Sequence, residues 1–266
     1  MYDFRYHRPT SIADAVSALE FADDARLLAG GMSLLPTLKL RLSQPSDLID
    51  LSRLGELRGI QAEAGGVRLG AMATHADVAS SEAVRETIPA LADLAGSIGD
   101  PQVRNRGTIG GSIANADPAA DYPAALVGLC ATVHTNQREI AADDYFTDLF
   151  ETSLEAGEIV IAVSFPKPGR AAYMKFANPA SRYAIVGVMV AQMADGVRVA
   201  VTGAGSSVFR VAEMESALAD DFSPSALEGI TVSPDELNED LHASAEYRAH
   251  LVGVMAKRAV VKAGGG

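Results

Sequence analysis

Two glycine pairs, each followed closely by serine, are the residues of this chain best suited to chemistry. "LLAGGMSLL" spans 27–35 and "TIGGSIA" spans 108–114. Glycine lets the backbone turn with positive φ and lets a ligand come within hydrogen-bond distance of successive amide N–H groups. Ser33, Thr108 and Ser112 add hydroxyls at the same places. Where such a turn runs into a helix, the unpaired amides and positive dipole end of that helix favour an anion. Two such turns on separate lobes suit a pyrophosphate held from both sides. Four charge-assisted hydrogen bonds contribute roughly 6–12 kcal/mol gross against an association cost on the order of 4–15 kcal/mol, so flat aromatic groups beyond the pyrophosphate must supply the remainder. A dinucleotide meets that requirement and free phosphate does not.

Other chemistries lack their residues. "GAGSSV" at 203–208 has Val208 where a nicotinamide-binding fingerprint needs its third glycine, and reads as a strand end. Neither the Gly-x-Ser-x-Gly of hydrolases nor the glycine–lysine pattern of a phosphate loop occurs. The single cysteine, Cys130, excludes an iron–sulfur cluster held by this chain alone. His7, His75, His134, His242 and His250 are scattered without ligand spacing, so no zinc site is expected and these histidines read as structural. No acid–base or nucleophile constellation can be assembled, and no catalytic residue is assigned.

Composition narrows the partners. The formal net charge of −12 argues against nucleic acid, which needs a basic footprint, and means that any phosphate site is made locally. At 266 residues, 48% of them hydrophobic, the chain can bury a substantial core. No apolar signal segment opens it and no stretch approaches a membrane span, so the sequence predicts a cytoplasmic protein, or one held at the inner face of the membrane.

The periodicities predict an α+β fold. Residues 2–7 alternate as a strand, Thr10 or Ser11 can cap a helix through Leu19, and "ARLLAGG", a helix opened by Ser33, and "SDLIDLSRL" complete a small parallel βαβαβ lobe. A hairpin turning near Gly65-Gly66 follows, then helices around 74–80, 89–97 and 121–129, and strands "ATVHTN" and "EIVIAVSFP". The breaker Pro166-Lys167-Pro168-Gly169 marks a boundary. Beyond it lie a three-stranded antiparallel sheet and helices at about 209–219, 224–229 and 244–263. The predicted division is a two-lobed domain over 1–167, with a small βαβ lobe at about 1–55 and a mixed or antiparallel-sheet lobe at 56–167, followed by a C-terminal domain over 168–266.

Five segments in this order, "YDFRYHRPTSIADAV", "AGGMSLLP", "TIGGSIANADPAADYPAAL", "KFANPASRYAIVGV" and "SAEYRAHLVGVMAKRAV", resemble the FAD-binding medium subunit of the molybdenum hydroxylases, the family of xanthine dehydrogenase and aerobic carbon monoxide dehydrogenase. The resemblance implies FAD as the cofactor, two FAD-binding lobes and a C-terminal flavoprotein domain. By it, Ala29, Gly30, Gly31, Met32 and Ser33, with Leu34 beside them, form the first pyrophosphate-binding turn, and Thr108, Ile109, Gly110, Gly111 and Ser112 form the second. Asn115 and Asp121 face the ribityl or ribose region, Ile98 and Val160 line the nucleotide pocket, Lys175 lies near the cofactor, and Tyr183 approaches the isoalloxazine ring. A side chain at Gly110 or Gly111 would then occupy the phosphate position. On the residues alone, Asp121 reads equally as the cap of the helix "DYPAALVGLC", Lys175 as a solvated strand residue and Tyr183 as a sheet-packing residue. Ser112 stands where the family usually has Asn, and Met32 where a smaller or polar residue is frequent; both leave the amides in place.

The same resemblance implies an electron-transfer subunit rather than a complete enzyme. A large subunit would carry the molybdenum cofactor and oxidise substrate, and a small one would carry two [2Fe–2S] clusters. This chain would pass electrons to an external acceptor, within a dimer of heterotrimers. A self-contained FAD-dependent oxidoreductase and an assembly subunit without cofactor are the alternative readings.

Overall fold

The computed structural model describes residues 1–265, in which three sheets and one small hairpin follow one another along the chain. The first sheet uses β1 (Arg5–His7), β2 (Ala25–Leu28) and β3 (Asp47–Asp50), with α1 (Ile12–Glu20) and α2 (Leu34–Lys39) as its crossovers. The strand order is β1-β3-β2 and both pairings are parallel, as crossover helices require. Ser11 caps α1 by accepting from the Asp14 amide. Ala15 and Ile49 pack with Leu54 and Leu57 into a small core that Met72 and Ile159, further along the chain, complete.

The second unit opens with the hairpin β4 (Ile60–Glu63) and β5 (Gly66–Gly70). Six helices follow: α3 (His75–Ser80), α4 (Glu82–Thr87), α5 (Pro89–Gly96), α6 (Pro101–Arg104), α7 (Ile109–Asn115) and α8 (Tyr122–Gly128). The chain then returns through β6 (Thr132–Thr135), β7 (Glu139–Ala141), the hairpin β8 (Phe146–Asp148) and β9 (Glu151–Thr152), and β10 (Val160–Pro166). The sheet order β4-β5-β10-β6-β7 is antiparallel throughout.

The third sheet is built from β11 (Arg170–Ala177), β12 (Ala184–Met193), β13 (Gly196–Thr202) and β14 (Phe209–Arg210), all antiparallel, with α9 (Ala212–Asp220) and α10 (Ala245–Ala263) beyond it. Val186, Val188 and Val190 face Leu251 and Met255 of α10, while Met189 and Ala191 belong to the core that holds α8. With helices on both faces, β12 reads as a continuous apolar run, "AIVGVMVAQM", rather than an alternating one. Helix α8, buried at every position, is apolar all round for the same reason.

Two local expectations are corrected. The C-terminal sheet keeps its three long strands but gains β14, because residues 209–210 pair with Ala200 and Val201 before α9 begins. The second glycine pair, read as a turn, instead lies within α7, with α6 just before it.

Candidate functional site

A cavity of about 600 Å³ opens between the first lobe and the second, within the size range of cofactor pockets. Ala29, Gly30, Gly31, Met32, Ser33 and Leu34 line it from the turn between β2 and α2. Thr108, Gly110, Gly111, Ser112 and Asn115 line it from α7, joined by Ile98, Asp121, Val160 and Tyr183. Two expected residues do not face it. Ile109 is wholly buried in the core of the second lobe, and Lys175 lies behind Asp121 rather than on the wall.

The two glycine turns are not equivalent. In the first, the amides of Gly31, Met32, Ser33 and Leu34 donate to no backbone acceptor among the described residues, so they are free for a ligand. Gly31 turns the chain with φ of 76°, where a side chain would be strained. In the second, the amides are already engaged: Ile109 donates to the Ala73 carbonyl at 3.0 Å, Gly110 to the Ala71 carbonyl at 2.9 Å, and Ser112 to the Thr108 carbonyl at 3.0 Å. The Gly111 amide donates to Thr108 Oγ1 at 3.2 Å, an N-cap bond. The symmetrical amide cradle is therefore replaced by free amides on one side and a docked helix N-terminus with hydroxyls on the other.

The reason for glycine at the second turn also differs from the expectation. Gly110 and Gly111 have no positive φ. A Cβ on Gly110 would fall 2.6 Å from the Ala71 Cβ, inside the protein and not at a phosphate position. A Cβ on Gly30 would fall 2.1 Å from the Arg106 carbonyl oxygen. This glycine sets how closely the two lobes approach.

Behind the cavity, Asp121 starts α8 but makes no side-chain cap bond, which corrects the capping reading. Its Oδ1 accepts instead from the Tyr173 hydroxyl at 2.6 Å and its Oδ2 from Lys175 Nζ at 3.1 Å. Lys175 also donates to the carbonyls of Ser97 at 3.0 Å and Arg182 at 3.1 Å, which uses all three of its protons. Burial pushes the Asp121 carboxyl up, and Lys175 and Tyr173 oppose that shift. The trio thus clasps β11, α8 and two loops together. One of those loops, "NPASRY", is fixed by Asn178 Oδ1, which accepts from the Ala180 and Ser181 amides, and it delivers Tyr183 to the cavity mouth. Burial and Asp117 push the Tyr183 hydroxyl up, and Ser33 across the mouth counters this.

Sequence reasoning missed His75 and Asp117, both of which line the cavity. Burial pushes the Asp117 carboxyl up. His75 opens α3 beside Gly107, is 5% exposed, and its Nδ1 is buried without a partner. Desolvation, reinforced by Arg104, brings its pKa down to about 4. The signal available was the pair Thr74-His75: the capping threonine fixes where the helix starts and therefore where the ring points. Between the ordinary value of 6.5 and about 4, the unfolded chain binds a proton that the folded chain excludes. Stability therefore falls as pH drops through that window, by about 3 kcal/mol. Urea unfolding of His75→Phe, compared with the unaltered chain across those pH values, is expected to lack this part of the loss.

The residues fit a dinucleotide such as FAD. A cavity of suitable size, a turn with unpartnered amides and hydroxyls opposite it are the features that such a ligand requires.

Comparisons with known proteins agree. Residues 2–168 match the family described as the FAD binding domain in molybdopterin dehydrogenase. The chain is 38% identical to the nicotine 6-hydroxylase medium subunit of Paenarthrobacter nicotinovorans, covering 98% of this chain and 97% of the relative. It is 37% identical to the carbon monoxide dehydrogenase medium chain of Hydrogenophaga pseudoflava, covering 97% and 96%. Among solved structures, carbon monoxide dehydrogenase from Hydrogenophaga pseudoflava superposes with a TM-score of 0.90 at 36% identity, over 98% of this chain and 97% of the other. Quinoline 2-oxidoreductase from Pseudomonas putida 86 gives 0.89 at 30% identity, over 98% and 97%. Matched in sequence and fold along nearly its whole length by dehydrogenase and hydroxylase subunits, this chain belongs to the family of FAD-binding oxidoreductase subunits typified by the FAD binding domain in molybdopterin dehydrogenase.

Proposed function

We propose that this chain is the electron-transfer subunit of a molybdenum hydroxylase complex, holding FAD between its lobes. The observation that carries the reading is the inter-lobe cavity with four unpartnered amides at its β2–α2 turn. FAD held here would supply redox chemistry able to take up two electrons and give them up again. The chain's own residues bind and orient it. The amides of Gly31, Met32, Ser33 and Leu34 take the pyrophosphate, and Thr108 and Ser112 supply hydroxyls from the other side. Ile98 and Val160 cover the nucleotide, Asn115 and Asp121 address the sugar or ribityl chain, and Tyr183 stands at the isoalloxazine end. Lys175 holds Asp121 in place and opposes the loss of its charge on burial. In this reading residues 1–167 form the FAD-binding domain and 168–266 close it from one end.

The partners are a large subunit with the molybdenum cofactor and a small subunit with [2Fe–2S] clusters, assembled as a dimer of heterotrimers. The medium-subunit names of the relatives support this. Among the described residues no group of three or more His, Cys, Asp or Glu side chains is placed to hold a metal ion. No described helix is long and apolar enough to cross a membrane. Purification of the native complex is expected to yield a flavin spectrum assigned to this chain, and the chain alone is expected to bind FAD without oxidising any candidate substrate. Substrate turnover by the isolated chain would favour a self-contained oxidoreductase, and a colourless chain unable to take up FAD would overturn the proposal.

A further inference from the structure

The second lobe meets the cavity with few N–H groups to offer. The Gly110 and Ser112 amides already donate to backbone carbonyls, and the Gly111 amide to Thr108 Oγ1. Among the second-lobe residues that line the cavity, His75 and Asn115 are the side chains that carry nitrogen. The backbone holds His75 beside the second glycine turn: its amide donates to the Gly107 carbonyl at 3.0 Å, and Thr74 pairs with Thr108 in an antiparallel bridge. A capping box fixes that position, the Thr74 hydroxyl accepting from the Asp77 amide and the Asp77 carboxylate from the Thr74 amide.

The two ring nitrogens of His75 are differently placed. Neither hydrogen-bonds to the protein among the described residues, and Nδ1 is the one sealed from the cavity. Nε2 lies against Gly107, itself a lining residue, where a Cβ would fall 2.5 Å from this nitrogen and cover it. Desolvation and Arg104 keep the ring neutral, with a pKa of about 4, so it carries one N–H near neutral pH. An orphaned buried N–H is rarer and costlier than an orphaned lone pair, which places the proton on Nε2. The ring thus offers one uncharged donor to the cavity, next to Thr108. A phosphate oxygen can only accept, and it matches that donor.

We propose that His75 is a cofactor-binding residue whose Nε2–H donates to a pyrophosphate oxygen of FAD from the side of the second lobe. The inference rests on the reading that FAD fills this cavity. It gives the pyrophosphate a grip of two kinds: free amides from the β2–α2 turn, and an imidazole N–H with hydroxyls from the other side.

The native complex, stripped of its flavin, is titrated with FAD, with ADP and with riboflavin, which has no phosphate. His75→Phe keeps a flat ring beside Tyr122, whose centroid lies 5.4 Å from that of His75. It is expected to weaken FAD and ADP by roughly tenfold to a hundredfold, the range for a hydrogen bond to a charged group, and to leave riboflavin unchanged. His75→Gln can place an amide N–H where Nε2 stood and is expected to recover most of the loss. His75→Asn reaches only the position of Nδ1 and is expected to recover none. Should the Phe variant fail to fold, the Gln and Asn variants carry the same comparison. Unaltered FAD and ADP affinity in His75→Phe, an equal loss for riboflavin, or equal affinities in the Gln and Asn variants overturns the inference and leaves the proposed function standing. An unaltered complex that takes up neither FAD nor ADP overturns the proposed function itself.

Discussion

Gly30→Ala is expected to strip FAD from the chain without unfolding either lobe. The new Cβ would meet the Arg106 carbonyl oxygen at 2.1 Å and the Gly107 Cα at 2.8 Å. Neither backbone atom can yield cheaply. The segment beyond them is pinned where the His75 amide donates to the Gly107 carbonyl at 3.0 Å, and the Ile109 amide to the Ala73 carbonyl. The first lobe must therefore move away. Overpacking of this kind costs roughly 1–3 kcal/mol, which corresponds to a loss of FAD affinity on the order of ten- to hundredfold if it falls on lobe closure. Neither apolar cluster includes Gly30, Arg106 or Gly107, so folding should survive. Flavin retained after gel filtration and the far-ultraviolet dichroism of the protein measure the two effects separately. Gly65→Ala, whose Cβ would meet nothing within 4 Å, is the matched control and should be silent. Retention of FAD at the level of the unaltered chain in Gly30→Ala would show that lobe approach does not govern binding.

Lys175→Met is expected to have the largest effect on stability. It leaves the Asp121 carboxylate, 4% exposed at its side chain, without its cation. Removing one partner of a buried pair typically costs about 3–5 kcal/mol, more than the pair contributes by being present. The loss has a pH signature. Burial already raises the Asp121 pKa, and without Lys175 the opposing influence is gone. A folded-state pKa above the unfolded one means that the folded chain binds the extra proton. Stability of the variant should therefore fall as pH rises from the ordinary carboxyl value toward the raised one. Urea unfolding at several pH values checks this, and adding Asp121→Asn should recover most of the loss. An unaltered midpoint in Lys175→Met would mean that the pair is not a structural clasp. If the double variant also regains folding but not FAD, Asp121 contributes to the cofactor site directly.

The two experiments address different parts of one design. Gly30 acts by having no side chain where two backbones meet, and Lys175 acts by filling its hydrogen bonds inside the protein. Neither contributes a reacting atom. Both make a cavity of fixed shape for a cofactor that supplies the chemistry.

Several elements were legible in the sequence because their causes are local. The parallel first lobe follows from a strand, a Ser-capped helix and a buried strand in close succession. The β4–β5 hairpin and the long strands of the third sheet follow from alternation and turn residues. The first glycine turn was legible for the same reason: positive φ at Gly31 and a helix beginning at Leu34 are properties of a few adjacent residues. The ordered set of five segments also carried the family and the FAD expectation.

What lay beyond the sequence depended on contacts between distant segments. A glycine pair is a poor start for a helix, yet 109–115 is helical because its amides dock on the carbonyls of Ala71 and Ala73 and Thr108 caps it. That docking also uses up the amides that the sequence seemed to offer a ligand. Asp121 had every local mark of a helix cap, but Tyr173 and Lys175, more than fifty residues away, take its oxygens. His75 lost its charge to burial, and Gly30 owes its identity to the Arg106 backbone across the lobe boundary. By itself the sequence determined the elements, the family and the region where phosphate-binding turns occur, since these depend on neighbouring residues. Tertiary structure alone decided which amides remain free, which carboxylates are neutralised and how near the lobes come, because hydrogen-bond competition and desolvation are set by atoms that only folding brings together.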